Sequence, residues 1–513
     1  MKLQAVVLVA FGFALSGLTC HAAAVADIFG DHMVLQRDKP IPIWGTGRPG
    51  EEVTVQFKGK TAATRVDDSG RWQVTLEALP TNAGPAEMTI ESDTKTHLRD
   101  ILIGEVWLAS GQSNMFWPVG EISNKRGNWP GVHNGEEEVA RADWPMIRLN
   151  SQLDHEFGIG GWRVCNPENV RGFSAVAYFF GREVHRELGV PVGLIVRSFG
   201  GTTLQAWTPK AELTALPFVQ KYDALYPRVR PQILEWNQRF REYREELAKG
   251  TKPRPKRPDL LDEEIELAKR LQAQGNLHAR YIAPICPFAI RGFIWYQGES
   301  QTIFKSLTYA MEDMLVALIE GRRRLWNDKT LPLYFVQLPI HDHPTKGTHW
   351  HIAREAMRRA FERTPHTGMA VTYDFSDTQN VHPPEKQEVG RRLALWALAK
   401  TYDQDVAFSG PLFKQVKFAQ DLAVVGFDHA EGLRSSDRKP LRGFELASSD
   451  GEFHPAIATI QGETIVVTAA QVNKPQAVRF FFGGFEKPNL VNSAGLPASP
   501  FTTEDWPGIT LQQ

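Results

Sequence analysis

Little cysteine, no excess of either charge and no long apolar run after the first residues characterise this sequence of 513 residues. Its 3 cysteines are too few for a disulfide framework. A formal net charge of −1 gives no general attraction to nucleic acid or to an anionic membrane surface. Beyond the N-terminal segment, no apolar stretch reaches the roughly 20 residues that a membrane span needs. A neutral partner such as a sugar is therefore expected, and the 14 tryptophans offer ring faces for sugars or for the core.

Residues 1–24 are typical of an export signal. Lys2 supplies a positive charge, an apolar stretch follows it, and small residues occupy positions 22–24. We expect cleavage near position 24 and a secreted or periplasmic protein that is not attached to a membrane once the signal is removed. Of the remaining cysteines, Cys165 and Cys286 are expected to be unpaired thiols rather than a disulfide.

Two β regions flank an α/β region. Residues 25–99 contain short alternating strands separated by turns, which predicts a small β-sandwich. Residues 100–405 alternate apolar strands with helices, which predicts a mainly parallel sheet with helices on both faces. Residues 406–513 return to strands and predict a second small β-sandwich. Inside the α/β region, residues 227–273 form a charged insert with two amphipathic helices around a Pro-rich linker.

The elements predicted for the α/β region can be stated with their bounds. The strands are Val106–Ala109, Val192–Val196, Gly292–Tyr296 and Leu333–Leu338. The helices are Ala177–Leu188, Leu307–Leu325, Ile352–Arg363 and Glu388–Thr401, with Ile233–Lys249 and Leu260–Gln274 in the insert. In an open α/β sheet, functional sites form where parallel strands end.

Four polar loops lie near predicted strand ends or late in this region. They carry Ser113, the pair Gly200 and Gly201, Glu299, and His382. Each loop alone is typical of an ordinary turn or a structural residue. Together they supply a nucleophile, backbone donors for an oxyanion, a carboxylate and an imidazole. The combination favours a serine hydrolase.

The same loops resemble the SGNH/GDSL-type hydrolases, and most closely the sialate O-acetylesterase-like branch that includes bacterial carbohydrate acetylesterases. The matching segments are Gly111–Met115, Gly200–Thr202, Trp295–Ser300 and Val381–Pro383, with Ile28–Gln36 near the start and Gly495–Phe501 near the end. They occur in order over nearly the whole chain. The resemblance implies a three-layer SGNH fold in which a parallel sheet is flanked by helices.

The resemblance also implies roles for individual residues. Ser113 would attack an acetyl carbonyl, and His382 would take its proton and later return it to the departing sugar hydroxyl. The N–H of Ser113 and one from Gly200 or Gly201 would hold the oxyanion, with Gln112 or Asn114 as a third donor. Neither a metal nor another cofactor is expected.

The sequence leaves three alternatives for the acid that orients His382: either of two residues, or no acid at all. Many SGNH enzymes carry Asp three residues before the histidine, where this chain has Gln379. Asp377 is five before. Glu299 stands where the wider superfamily has an oxyanion-hole Asn, and a carboxylate there would repel an oxyanion. Glu299 is slightly preferred as the hydrogen-bond partner of His382, and a Ser–His dyad is the third alternative.

Four residues are expected to contact the sugar: Asn114, Gln297, Trp207 and Trp350. For the tryptophans, a place in the core is the competing interpretation. The histidines between positions 341 and 351 are interpreted as part of a polar substrate loop rather than a zinc site. The insert, and a segment before Gly292 that differs from relatives, suggest an altered cleft.

The sequence therefore predicts an exported esterase that removes O-acetyl groups from a carbohydrate. Sialic acid, xylan, xyloglucan and pectin are all candidate substrates. Two other hypotheses stand beside it: a carbohydrate-binding protein on an inactive hydrolase scaffold, and an SGNH esterase of lipids or thioesters. The presence of both Ser113 and His382 argues against the inactive scaffold.

Overall fold

A computed structural model describes residues 22–124, 127–152, 160–250, 253, 255–341, 349–375, 380–482 and 487–504. Most of the predicted export signal lies outside these residues. Within them, no helix is both long and apolar enough to cross a membrane. Cys165 and Cys286 are free thiols in the described part of the chain.

The first strands form two small sheets before the chain enters the central one. The strands are β1 Ala24–Val25, β2 Val34–Gln36, β3 Ile41–Thr46, β4 Glu52–Phe57, β5 Lys60–Arg65, β6 Arg71–Leu76, β7 Asn82–Glu91 and β8 Lys95–Gly111. One sheet has the order β1-β3-β6, and in the other β7 pairs with both β4 and β8. Alternate side chains of β3, β4 and β6 are buried, as expected for strands with one face on a core.

The central sheet is mixed. Its further strands are β11 Trp144–Ser151, β12 Trp162–Cys165, β13 Val192–Ser198, β14 Gly292–Tyr296, β15 Leu333–Val336 and β16 Thr367–Ala370, while β9 Ile122–Asn124 and β10 Gly127–Trp129 form a separate hairpin. The order is β12-β11-β13-β8-β14-β15-β16. All neighbours are parallel except the edge strand β12, which is antiparallel to β11. The expectation of a mainly parallel sheet is therefore met.

Strand β8 crosses the boundary that the sequence places at residues 99 and 100. Its first half pairs with β7 and β2, and its second half pairs with β13 and β14. Burial is unbroken from Ile101 to Gly111, across the change from the first set of neighbours to the second. The change of pattern in the sequence marks a change of neighbours along one strand rather than a linker.

Helices cover both faces of the central sheet. They are α1 Ser113–Phe116, α2 Gly135–Arg141, α3 Pro167–Val170, α4 Ala175–Leu188, α5 Leu204–Trp207, α6 Lys210–Leu213, α7 Pro217–Ala248, α8 Glu263–Leu271, α9 Lys305–Tyr309, α10 Met311–Leu325, α11 Trp350–Arg363 and α12 Lys386–Lys400. On one face, Trp107 of β8 meets Phe180 of α4 edge to face. On the other, Arg322 of α10 lies over the ring of Phe293.

Two of the predicted helices differ most from the structure. Helix α7 begins at Pro217 and continues through Pro227 and Pro231, so the insert does not start at a break. Phe218, Val219 and Tyr222 are buried in its first turns, and this packing explains the earlier start. The helix expected over Leu307–Leu325 is two helices, α9 and α10, which meet at Ala310.

The C-terminal strands form two four-stranded sheets and a short pair. They are β17 Leu412–Phe418, β18 Leu422–Asp428, β19 Arg434–Ser435, β20 Phe444–Ala447, β21 Phe453–Pro455, β22 Ile457–Gln461, β23 Thr464–Thr468, β24 Ala477–Phe480, β25 Leu490–Val491 and β26 Phe501–Thr502. The segment before β26 packs on the α/β region, where Ser499 hydrogen-bonds Gln337 and Tyr373 donates to the carbonyl of Ala498.

Candidate active site

The site begins where three parallel strands end together. Gly111 of β8 is paired with Tyr296 of β14 on one side and Ser198 of β13 on the other. A Cβ on Gly111 would lie 2.0 Å from the carbonyl oxygen of Tyr296, and its φ is +148°. Only glycine allows this approach. The chain then leaves the sheet and turns into α1, whose first residue is Ser113.

Ser113 and His382 lie side by side, although 269 positions separate them in the sequence. His382 Nε2 is 2.8 Å from Ser113 Oγ. The imidazole is stacked on the ring of Trp117, with centroids 4.5 Å apart and an interplanar angle of 25°. The backbone N–H of His382 donates to Asn380 Oδ1 at 2.9 Å. The ring is therefore held by stacking, by its backbone and by the serine.

Burial sets the charge of this histidine. It lowers the pKa of His382 to about 4, and the positive charges of Lys386 and His341 act in the same direction. A neutral imidazole at pH 6 or 7 has one nitrogen free to accept a proton. The Ser113–His382 pair thus has the geometry and the charge state that activate a serine nucleophile.

Two backbone segments that carry candidate donors lie beside Ser113. A Cβ on Gly200 would lie 3.6 Å from Ser113 Cβ, which places the Gly200–Gly201 turn against the serine. Gly201 has a φ of +68°, a conformation that favours glycine. Ser113 is the first residue of α1, where N–H groups have no partner inside the helix. These amides can receive a developing oxyanion.

The candidates for a third oxyanion donor were the side chains of Asn114 and Gln112. Both Nδ2 protons of Asn114 are already used, one on the carbonyl of Val381 at 2.9 Å and one on Glu299 Oε1. Gln112 Oε1 accepts from the N–H of Ser300 at 3.4 Å. The expectation that Asn114 is a donor to the oxyanion or to the sugar is wrong for this arrangement, because its donors face inward.

The side chain of Glu299 bonds to Asn114 rather than to His382, the partner that the sequence predicted. Its Oε1 accepts from Asn114, and its Oε2 is buried without a hydrogen-bond partner among the described residues, so no bond to His382 forms there. Burial raises the pKa of Glu299, against the lowering effect of Asn114 and the charge of Lys386. The alternative acid, Asp377, lies outside the described residues.

Comparisons with known proteins show which family this chain resembles. A family profile described as carbohydrate esterase, sialic acid-specific acetylesterase, matches residues 103–237 and 266–399, just over half of the chain. The solved structure of a carbohydrate acetylesterase from Xanthomonas citri superposes with a TM-score of 0.76 at 30% identity, covering 94% of this chain and 100% of that one. Sialate O-acetylesterase of Rattus norvegicus is 27% identical over 93% of this chain and 93% of its own length. That of Homo sapiens is 27% identical over 82% of this chain and 79% of its own.

The chain belongs to this family of carbohydrate esterases. It is a carboxylic-ester hydrolase, and its relatives support an acetylesterase that acts on carbohydrates. The two matched segments of the esterase contain Ser113, Gly200, Glu299 and His382. The unmatched stretch between them covers the end of α7 and the linker before α8, within the predicted insert.

Three more side chains expected to contact the sugar lie in the core of the esterase. Gln297 and Trp207 are fully buried, and Trp350 is 4% exposed. Gln297 Nε2 donates to the carbonyl of Thr202, and Trp207 Nε1 donates to Thr202 Oγ1. Gln297 and Trp207 support the turn that carries Gly200 and Gly201, whereas Trp350 packs against His341. None of the three offers a sugar platform, because a buried side chain cannot contact a ligand.

Sequence reasoning did not predict the roles that two residues have in the esterase site, although it named Trp117 among tryptophans that could line the cleft. Trp117 supports His382 by stacking, and nothing in its sequence environment pointed to that histidine. Lys386 is fully buried beside Asn114; its position four residues after His382 was the available signal. Among the described residues, no group of three ligating side chains could hold a metal, and Asp342 and His343 of the His-rich stretch lie outside them.

Proposed function

We propose that this protein is a serine esterase that removes O-acetyl groups from a carbohydrate through an acetyl-enzyme on Ser113. The hydrogen bond between Ser113 Oγ and His382 Nε2 carries the proposal. A serine hydroxyl is a weak nucleophile unless a base takes its proton, and the neutral imidazole of His382 can do so. The order of strands and the position of Ser113 after β8 also support the SGNH type of α/β fold.

The reaction has two balanced steps. Ser113 Oγ attacks the acetyl carbonyl carbon while its proton moves to His382 Nε2, and the carbonyl oxygen becomes an oxyanion facing the amides of Ser113 and Gly200. The ester bond to the sugar breaks, and the proton on His382 passes to the departing sugar oxygen. Water then attacks the acetyl-enzyme, His382 takes its proton and returns it to Ser113, and acetate leaves.

For the orienting acid, we infer that Glu299 is not the partner of His382, which leaves Asp377 and a Ser–His dyad as the alternatives. The reason is the engagement of Glu299 with Asn114, which leaves His382 without that carboxylate. A triad acid holds the imidazole tautomer and stabilises the imidazolium that forms. Glu299 instead belongs to the buried network beneath the serine.

The proposed substrate class is an acetylated polysaccharide such as xylan or xyloglucan, or O-acetylated sialic acid. The name of the Xanthomonas citri relative supports a carbohydrate ester, and the names of the mammalian relatives support the sialate ester. A formal net charge of −1 gives no preference for an acidic polymer.

The test is acetate release from a panel of acetylated xylan, xyloglucan, pectin and sialic acid, with 4-nitrophenyl acetate as a general ester. Wild-type protein is expected to release acetate from at least one glycan, and Ser113→Ala to lose several powers of ten in kcat. Long-chain acyl esters and thioesters are the contrasting substrates. Preference for those would overturn the carbohydrate assignment, and no hydrolysis with intact glycan binding would indicate an inactive scaffold.

A further inference from the structure

Lys386 is a buried charge at the active site that the proposed reaction does not use. It is the first residue of α12 and has no solvent exposure. Its Nζ donates to Asn114 Oδ1 and lies 5.1 Å from the ring centroid of Tyr296. Among the described residues, no carboxylate oxygen lies within ion-pairing distance of Nζ. An ammonium group is thus buried with an amide as its hydrogen-bond partner.

Asn114 connects this lysine to both sides of the Ser–His pair. It directly follows Ser113, and its Nδ2 donates to the carbonyl of Val381, the residue before His382. The same Nδ2 donates to Glu299 Oε1. One buried amide therefore joins the serine loop, the histidine loop, the loop after β14 and the start of α12.

Lys386 acts together with Val381 and Glu299 in fixing which way that amide faces. An ammonium group can donate but not accept, whereas the carbonyl of Val381 and the carboxylate of Glu299 accept. Asn114 must therefore present Oδ1 to the lysine and Nδ2 to the other two groups. Without the ammonium, Oδ1 would be a buried acceptor with no donor, which is costly, and a flipped amide would lose the bond to Val381.

We propose that Lys386 is a positioning residue: it fixes the orientation of Asn114 and so holds the backbone before His382 in register with Ser113. This role rests on the proposed function, since it matters for catalysis only if Ser113 and His382 react. Because the two loops are separate in sequence, a displacement of about 1 Å between them is enough to cost roughly 100-fold in rate.

The lysine also acts on the histidine through charge. Its ammonium helps to lower the pKa of His382, as does His341, whereas burial is the larger cause. The other groups that face the ring are Ser113, Trp117 and the loop at Asn380. Around the lysine itself, Glu299 and Glu385 act on its charge, and burial lowers the pKa of Lys386 to about 7. Removal of the ammonium is expected to raise the pKa of His382.

The experiment compares Lys386→Met with Lys400→Met. Both changes remove one cation from α12, but Lys400 lies at its far end over the ring of Phe408. For Lys386→Met we expect kcat on 4-nitrophenyl acetate to fall about 10- to 100-fold, with KM within about threefold. The lowered pKa of His382, about 4, predicts where the acid limb of kcat/KM lies in the wild type, and in Lys386→Met this limb is expected to move up by roughly half a unit or more. Lys400→Met should change neither.

A double variant separates a positioning role of Lys386 from a general loss of stability. Lys386→Met leaves Glu299 as a buried carboxylate without its balancing cation, so this variant is expected to melt at a lower temperature. In Lys386→Met with Glu299→Gln, the charge is gone while an acceptor for Asn114 remains. We expect the melting temperature to recover in this double variant and the low kcat and the shifted acid limb to persist.

Three outcomes overturn the inference: an unchanged acid limb in Lys386→Met, an unchanged kcat, or recovery of kcat together with the melting temperature in the double variant. Failure of the proposed function has a different signature, because Ser113→Ala would then retain its activity. If Ser113→Ala is inactive and Lys386→Met is fully active, the proposed role of Lys386 is wrong while the proposed function stands.

Discussion

Two buried glutamates, one within the central sheet and one just beyond it, have pKa values shifted in opposite directions. Glu105, in the middle of β8, bonds to Arg37 and to Arg291, with Arg291 Nε 2.6 Å from Oε2. These partners outweigh burial and lower the pKa of Glu105. Glu299, just past the end of β14, has one amide as side-chain donor, and burial raises its pKa.

The difference separates structure from function within one sheet. Glu105 joins the N-terminal strands to the α/β region through two arginines, and its charges are closely matched. At the strand ends, Asn114 lies between Glu299 and Lys386 and bonds to both. Their opposite charges therefore offset each other only in part. Perturbed pKa values of this kind cluster at functional sites. The following predictions, from the largest expected effect to the smallest, test that distinction.

Loss of the imidazole at the strand ends should give the largest effect. His382→Ala is expected to reduce kcat by about 10⁴-fold or more, because the serine loses its base. The double variant with Ser113→Ala should be no slower than either single one, since the two residues act as a unit. Steady-state kinetics would measure this, with unchanged circular dichroism as the control for folding. Additive losses would argue against a shared step.

The two candidate acids should differ in their effect on rate. If Asp377 is the triad acid, Asp377→Asn is expected to lower kcat by about 10³-fold or more. Glu299→Gln should cost less than about tenfold, because Gln keeps an acceptor for Asn114. Both are amide replacements of a carboxylate, so each serves as the control for the other. The reverse order would return the triad role to Glu299, and two small effects would indicate a dyad.

Breaking the paired cluster should affect stability and spare the chemistry. Glu105→Ala leaves Arg37 and Arg291 without their carboxylate, and about 3–5 kcal/mol of unfolding free energy should be lost. Chemical denaturation would measure the loss, and kcat of the folded fraction should remain near the wild-type value. A large fall in kcat at conditions where the variant is folded would contradict the division between the two regions.

The smallest effect is the dependence of stability on pH, which should have opposite signs for the two residues. The lowered pKa of Glu105 gives stability above the ordinary value of 4.5 that is lost as the pH falls. The raised pKa of Glu299 gives stability below 4.5 that is lost as the pH rises. Glu105→Gln should therefore become less stable relative to wild type as the pH rises from about 2 to about 5, and Glu299→Gln more stable as the pH rises above about 4.5, each by up to about 1.4 kcal/mol per unit of pKa difference. Denaturation at several pH values would measure the stability of both variants relative to wild type. If the two stabilities changed with pH in the same direction, the contrast between Glu105 and Glu299 would be wrong.

Much of the local structure follows from the sequence. The strand Gly292–Tyr296 has the predicted bounds, because a short apolar run between turn signals has few alternatives. The helix predicted from Glu388 begins two residues earlier, at Lys386. Other bounds could not be predicted, because they depend on partners far away in the chain. Strand β8 continues through the expected domain boundary because β2 and β7 pair with its first half.

The sequence by itself determined the family, the α/β pattern and the identity of the nucleophile and base as candidates, since motifs and periodicity are local properties. The tertiary structure decided which groups meet. It joined Asn114 to Glu299 across 185 positions and to Lys386 across 272. It also gave two glutamates of one sheet opposite pKa shifts. Charge, burial and hydrogen bonding act through distance in space, and a list of residues does not contain that distance.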